Sequence, residues 1–148
     1  ADRTDPLGLH TVSYRHDRLA LVVPKGHSLA RRKRVTLDDL AGHELVSLSQ
    51  GTSLAQRLQA EANALGAALR VRVHVRSFDA MCQMVAAGLG IAVLPLDAVR
   101  PHVKSMGLVQ IDLVGDWVRR ELLIGVRDPQ SLSRSARLML SHLAASAA

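Results

Sequence analysis

Residues 77–95 read SFDAMCQMVAAGLGIAVLP, and this stretch decides the fold. Phe78, Met81, Cys82, Val85, Ala86 and Leu89 recur three and four residues apart, the spacing of a helix with one buried stripe. Ser77 stands where an N-cap belongs, and Asp79 puts negative charge in the first turn, where the helix dipole favours it. Gly88 supplies a residue able to take the left-handed conformation that ends a helix. Ile91 to Leu94 then forms a short apolar strand, stopped by Pro95. Capped helix, Gly-Leu-Gly turn and buried strand make half of a parallel α/β unit. The helix start also leaves backbone N–H groups unpaired, a natural place to hold an anion.

Working outward, the same alternation continues on both sides. Upstream, Leu19 to Val23 is an apolar run that reads as a strand buried on both faces, ended by Pro24. A charged connector follows. It contains Arg31, Arg32, Lys33 and Arg34, which read as a solvated loop, or else as a phosphate-binding or localisation patch. Thr36 with Asp39 resembles a capping box opening a short helix. Glu44 to Leu48 reads as a strand. Ser49, Gln50, Gly51, Thr52 and Ser53 form a polar turn, and Leu54, Leu58, Ala62 and Leu65 stripe a second helix ending at Gly66. Val71, Val73 and Val75 alternate with basic residues, giving a strand with one core face and one wet face. Downstream, Leu96 to His102 reads as a helical turn cut by Pro101. Val109, Ile111 and Leu113 form a strand broken at Gly115 and Asp116, and Leu122 to Val126 another. Ala136, Met139, Leu140, Leu143 and Ala144 mark a last helix.

Composition bounds what this α/β chain can do. It has 148 residues, 48% of them hydrophobic but only 2% aromatic, so the core is built from Leu, Val and Ala. Base-stacking nucleic-acid binders need aromatic platforms and are disfavoured. The net charge of +6 is scattered, and no recognition helix behind a tight turn is visible, so specific DNA binding by these residues is not expected. Cys82 is the single cysteine and lies on the apolar stripe, so it reads as a small core residue; no disulfide framework exists. No apolar run reaches transmembrane length, and the first residues carry no signal-peptide pattern; the expected location is cytoplasmic, with no membrane partner.

No catalytic or metal constellation emerges. The seven histidines show no HExxH spacing, and there is no GxSxG elbow or P-loop. Asp38 and Asp39 are adjacent and so diverge on a helix. The expectation is a non-enzyme, with no metal and no cofactor. What remains is a binding constellation. Ser49, Gln50, Gly51 and Thr52 follow one strand and precede a helix; Ser77 and Phe78 do the same. Ligands of open α/β sheets lie beyond the carboxyl ends of the strands, so two polar turns there converge on one place suited to a small anion. The same residues read equally well as plain N-caps and turns.

Three segments in order carry a family resemblance: RLALVVPKGHSLARRKRVTLDDLAGHELVSL, then the serine-capped helix running into VAAGLGIAVLP, then VRRELLIGVR with its terminal amphipathic helix. Together they resemble the effector-binding domain of LysR-type transcriptional regulators over nearly the whole chain. The resemblance implies an α/β fold of the type II periplasmic-binding-protein kind, with two Rossmann-like lobes joined by two crossovers and the first lobe incomplete. It implies residues 1–34 as partial first lobe and crossover, 35–114 as a complete second lobe, and 115–148 as return crossover and the rest of the first. It implies a small, anionic effector in the interlobe cleft, touched by Ser49, Gln50, Gly51, Thr52, Ser77 and Phe78, with Val23 and Pro24 bordering it. It further implies a homodimer or tetramer, and DNA binding only through a winged helix-turn-helix upstream of this sequence. A stand-alone solute-binding protein of the same fold is the alternative.

Overall fold

Strand and helix alternate through the middle of the chain as the periodicity predicts. The structure, a computed structural model, describes residues 3, 4 and 7–146. In chain order the elements are β1 (Arg3–Thr4), β2 (His10–Pro24), β3 (Arg34–Val35), α1 (Leu37–Leu40), β4 (Glu44–Leu48), α2 (Ser53–Leu65) and β5 (Arg70–Val75). They continue as α3 (Phe78–Ala86), β6 (Ala92–Pro95), α4 (Leu96–Met106), β7 (Leu108–Leu113), β8 (Arg119–Val126) and α5 (Arg134–Ala145). Single 3₁₀ turns stand at Asp116–Val118 and Pro129–Ser131.

Two compact units result, one of residues 18–119, the other of residues up to 17 together with 120 onward. The sequence reading drew its divisions elsewhere, after 34 and after 114. The difference lies in β2, a continuous strand of 15 residues that belongs to both units. Its later half lies within the unit 18–119: Leu19 to Val22 pair with β6, Ala20 to Pro24 pair with β7, and Leu19, Leu21, Val22 and Val23 are fully buried.

Within residues 18–119, β4 and β5 are parallel, as are β3 and β7. Ile91 joins β4 in the same sense: its N–H donates to Glu44 O and its carbonyl accepts from Val46 N, both at 2.9 Å. β2 alone runs against its neighbours β6 and β7. One layer of core contains Leu19, Leu21, Val23, Leu37, Leu40, Leu54, Leu58, Ile111 and Leu113; the other contains Val22, Met81, Cys82, Val85, Leu94 and Val99. β2 feeds both because successive side chains point to opposite faces.

The stretch 77–95 folds as its pattern dictates, with Met81, Cys82 and Val85 buried on α3. Its two glycines do different jobs. Gly88 follows the helix with φ +82°, the left-handed residue expected. Gly90, at φ +157°, lets β6 reach β4: a Cβ there would lie 2.7 Å from Glu44 O. Pro101 does not cut the next helix. α4 runs 11 residues through it, because Val99 is wholly buried and Val103 and Met106 pack on the same core layer. Burial of that face outweighs the roughly 3 kcal/mol cost of an interior proline.

In the other unit, β1 pairs with the start of β2, and β8 pairs with β2. Asp17 and Arg120 form a bidentate ion pair there, at 2.8 and 2.5 Å, with both side chains nearly buried. α5 has no buried residue, and Leu138 and Met139 stand exposed, so the stripe read from its sequence is only partly covered.

Candidate functional site

All five strands that run in one sense within residues 18–119 end at a common edge, and four of them lead directly into helices. β3 leads into α1, β4 into α2, β5 into α3 and β6 into α4. This is the edge at which open α/β sheets bind ligands. The two polar turns named from the sequence meet there. Ser49 N–H donates to Val75 O at 2.9 Å, and Ser49 Oγ donates to the same oxygen at 3.3 Å. That carbonyl lies two residues before Ser77, so the turn after β4 is tied to the turn after β5. Thr52 closes the first turn: its Oγ1 donates to Ser49 O at 2.9 Å and accepts from Ala55 N at 3.3 Å, capping α2. Ser77 caps α3, its Oγ accepting from Ala80 N at 3.1 Å. Gly51, at φ +89°, turns the chain between strand and helix, and Gln50 beside it is exposed.

Phe78 is half-buried and packs against both core layers, so it anchors the α3 start. Asp79 follows it; its carboxylate accepts from Gln83 Nε2 at 3.0 Å and faces His102 Nε2 at 3.7 Å. That engagement ties α3 to α4 and draws charge away from the helix start. Val23 and Pro24 are not brought to the other six. They pair with Val109 and Leu108, at the end of the sheet where β4, β6 and β7 begin. A strand length, on the order of 15 Å, separates them from the carboxyl edge. β2 runs antiparallel, so its residues at the carboxyl edge are Arg18 and Leu19, opposite Pro95. The resemblance places Val23 and Pro24 at the cleft; the antiparallel sense of β2 sets them at the opposite end of the sheet from the other six.

Two depressions among the described residues lie within 18–119 and bear on binding. One, of about 470 Å³, lies beside α2 and is lined by Gln50 and Gly51 with Ser47, Gln56, Gln59 and His74, over a floor of Leu58, Leu69 and Val71. Its polar groups are amides, a hydroxyl and one imidazole, whose Nδ1 is bonded to Leu48 O at 3.2 Å. The other, of about 440 Å³, is lined by Arg18, Arg34, Asp112, Asp116 and Arg119, residues the sequence reading did not select. The signal available for it was the basic run ending at Arg34.

Arg57, on α2, reaches the far end of this edge. Its Nε donates to Trp117 O at 2.8 Å and its Nη2 to Arg119 O at 3.1 Å. The helix that begins at Thr52 is thereby pinned to the segment on which the chain leaves residues 18–119. Among the described residues no group of three metal-ligating side chains is found, and no helix is long and apolar enough to cross a membrane.

The mixed α/β sheet, with polar helix starts gathered at its carboxyl edge, is of the periplasmic-binding-protein-like class. The profile described as LysR substrate binding domain matches residues 1–148, and the chain belongs to that family. Among curated proteins it is 32% identical over 104 residues to the DNA-binding transcriptional dual regulator OxyR of Escherichia coli K12, covering 70% of this chain and 34% of that one. The chain thus spans about a third of the length of the regulator it matches. Among solved structures, the regulatory domain of CcmR from Synechocystis PCC6803, in complex with 2-PG, aligns with a TM-score of 0.85 at 19% identity, over 98% of this chain and 70% of that chain. The effector binding domain of QuiR in complex with shikimate aligns with a TM-score of 0.83 at 14% identity, over 97% and 67%. These two likenesses are likenesses of fold.

Proposed function

We propose that the carboxyl edge formed by Ser49–Thr52 and Ser77 holds the carboxylate or phosphoryl group of a small effector, and that its occupancy is what this domain senses. The observation that carries the reading is the double hydrogen bond from Ser49 to Val75 O, which brings two capped helix starts into one place. Helix-start N–H groups and hydroxyls stabilise negative charge with no cationic side chain required. Shikimate and 2-PG, the compounds in the QuiR and CcmR structures, are suitable first probes. In the cell the domain acts as the ligand-sensing part of a cytoplasmic LysR-type regulator rather than as an enzyme. It works as an oligomer, and an attached winged helix-turn-helix reads DNA. An effector shifts the regulator only by its differential affinity for two arrangements of the protein.

Ser77→Ala tests the site. Loss of the cap costs about 1 kcal/mol of stability. Loss of a hydrogen bond to a charged ligand group costs roughly 1.5–3 kcal/mol of affinity. Calorimetric affinity for a bound effector is expected to fall by more than the melting shift accounts for; unchanged affinity with lowered stability would leave Ser77 a cap and nothing else.

A further inference from the structure

The basic run that reads as a loop in the sequence ends inside the second depression, and the strand period explains how. On β2, Leu19 and Leu21 belong to one core layer; on β7, Ile111 and Leu113 belong to the same layer. Arg18 and Asp112 are out of phase with these residues and so share the opposite face of the sheet. Arg34 is the ladder partner of Asp112 and immediately precedes buried Val35, which places it on that face as well. Asp116 and Arg119 complete the rim around about 440 Å³, enough for a small molecule.

The charges here are unspent. Three guanidiniums and two carboxylates line the depression, a surplus of one positive charge, yet among the described residues no ion pair joins any of them. Arg18 donates to Leu113 O at 3.4 Å, a long bond that leaves most of its five donors available. No side-chain hydrogen bond engages Arg34 or Arg119 among the described residues. Guanidinium forks match the planar oxygens of carboxylate and phosphoryl groups and bind them bidentately. We infer that this depression is a second oxyanion site, separate from the helix starts at Ser49 and Ser77, which grips a small carboxylate or phosphate between Arg34 and Arg119 with Arg18 behind. The site lies at the β3–β7 side of the sheet, with β6 and β2 between it and β4. Arg18 and Arg119 are the first and last residues of the unit 18–119, so an anion held by both joins the two points at which the chain enters and leaves that unit.

The test is a titration of the intact chain with inorganic phosphate and, separately, with succinate at fixed ionic strength. It follows the amide resonances of residues 34–35 and 114–119. Saturable shifts at these amides are expected. Arg34→Gln and Arg119→Gln should each weaken binding about tenfold or more. Arg34→Lys, which keeps the charge without the fork, should weaken it as well. Lys33→Gln, next in the run but outside the lining, and Ser77→Ala should leave it intact. Tighter phosphate binding assigns a phosphoryl ligand, tighter succinate a carboxylate. Shifts that rise without saturation, an equal loss in Lys33→Gln, or binding unchanged in Arg34→Gln and Arg119→Gln would reduce the depression to a diffuse basic surface and overturn the inference. Loss of the signal in Ser77→Ala would merge the two sites and overturn it too, whereas failure of effector binding at Ser77 alone leaves it standing.

Discussion

At the scale of single residues, the titrating groups sit away from the candidate site and report on folding. His27 and His43 lie with ring centroids 5.1 Å apart, and His27 Nδ1 accepts from Leu29 N at 3.1 Å. Burial, and after it the neighbouring His43, hold the His27 pKa below its ordinary value. The folded state therefore prefers His27 neutral. Between the lowered folded pKa and the unfolded value near 6.5, the unfolded chain binds more protons. Stability is fully present above about pH 6.5 and is lost as pH falls towards the folded value. His43→Gln removes the second cause, so urea midpoints measured from about pH 8 down to 5 should fall less steeply in the variant. Parallel pH profiles would mean the two rings do not interact. Asp39 works in the same sense in the carboxylate range: its folded pKa is also lowered, so its contribution is lost as pH falls. The Thr36 N–H, donating at 2.8 Å, holds its carboxyl low, with Arg32 adding to the effect at 3.0 Å. Cys82 is buried, and burial together with Asp79 pushes its thiol up, which keeps it protonated and unreactive.

At the scale of elements, Gly90 is the residue on which the assembly of β6 beside β4 depends. Any side chain there collides with Glu44 O at 2.7 Å while holding a left-side φ of +157°. Gly90→Ala should therefore destabilise by about 2–3 kcal/mol, and the amides of Val46 and Ile91 should lose hydrogen-exchange protection first. A loss under about 0.5 kcal/mol would mean that the Ile91 bridge is dispensable. The sequence showed why a turn was needed at Gly-Leu-Gly, but not that the second glycine is there for a close backbone approach, since that contact is 46 residues away in the chain. Local pattern made α2, α3, β4, β5 and β7 legible, because each carries its own period and caps. It failed at Pro101, where packing overrode a helix breaker, and at β3, two residues long with no period to read. The direction of β2 was equally hidden. An apolar run reads the same in either sense, so nothing local shows that Arg18 and Leu19, rather than Val23 and Pro24, stand at the carboxyl edge. Of the arginines in the second depression only Arg34 was visible, as the end of a charge run, and what selects it from its neighbours is its ladder position beside Asp112.

At the scale of the molecule, β2 enters the unit 18–119 after Asp17, and β8 leaves it at Arg120. The Asp17–Arg120 pair fastens these two passages, 103 residues apart, within the other unit. Asp17→Asn leaves a nearly buried guanidinium without its charge partner, at a cost of roughly 3 kcal/mol. Hydrogen exchange should show residues 10–17 and 120–126 losing protection while 19–23 and 92–95 keep theirs. A uniform loss would show the two units unfolding as one. The central claim, that the carboxyl edge of 18–119 recognises a small oxyanion through two helix starts, is tested most directly by titrating the chain with shikimate, 2-PG and a panel of small carboxylates while recording every backbone amide. The account predicts saturable shifts at residues 49–55 and 77–80, separate from any at 34–35 and 114–119 and weakened about tenfold or more by Ser77→Ala in a chain that remains folded. Saturable binding that leaves those amides unmoved, or no carboxylate bound anywhere at millimolar concentration, would contradict it.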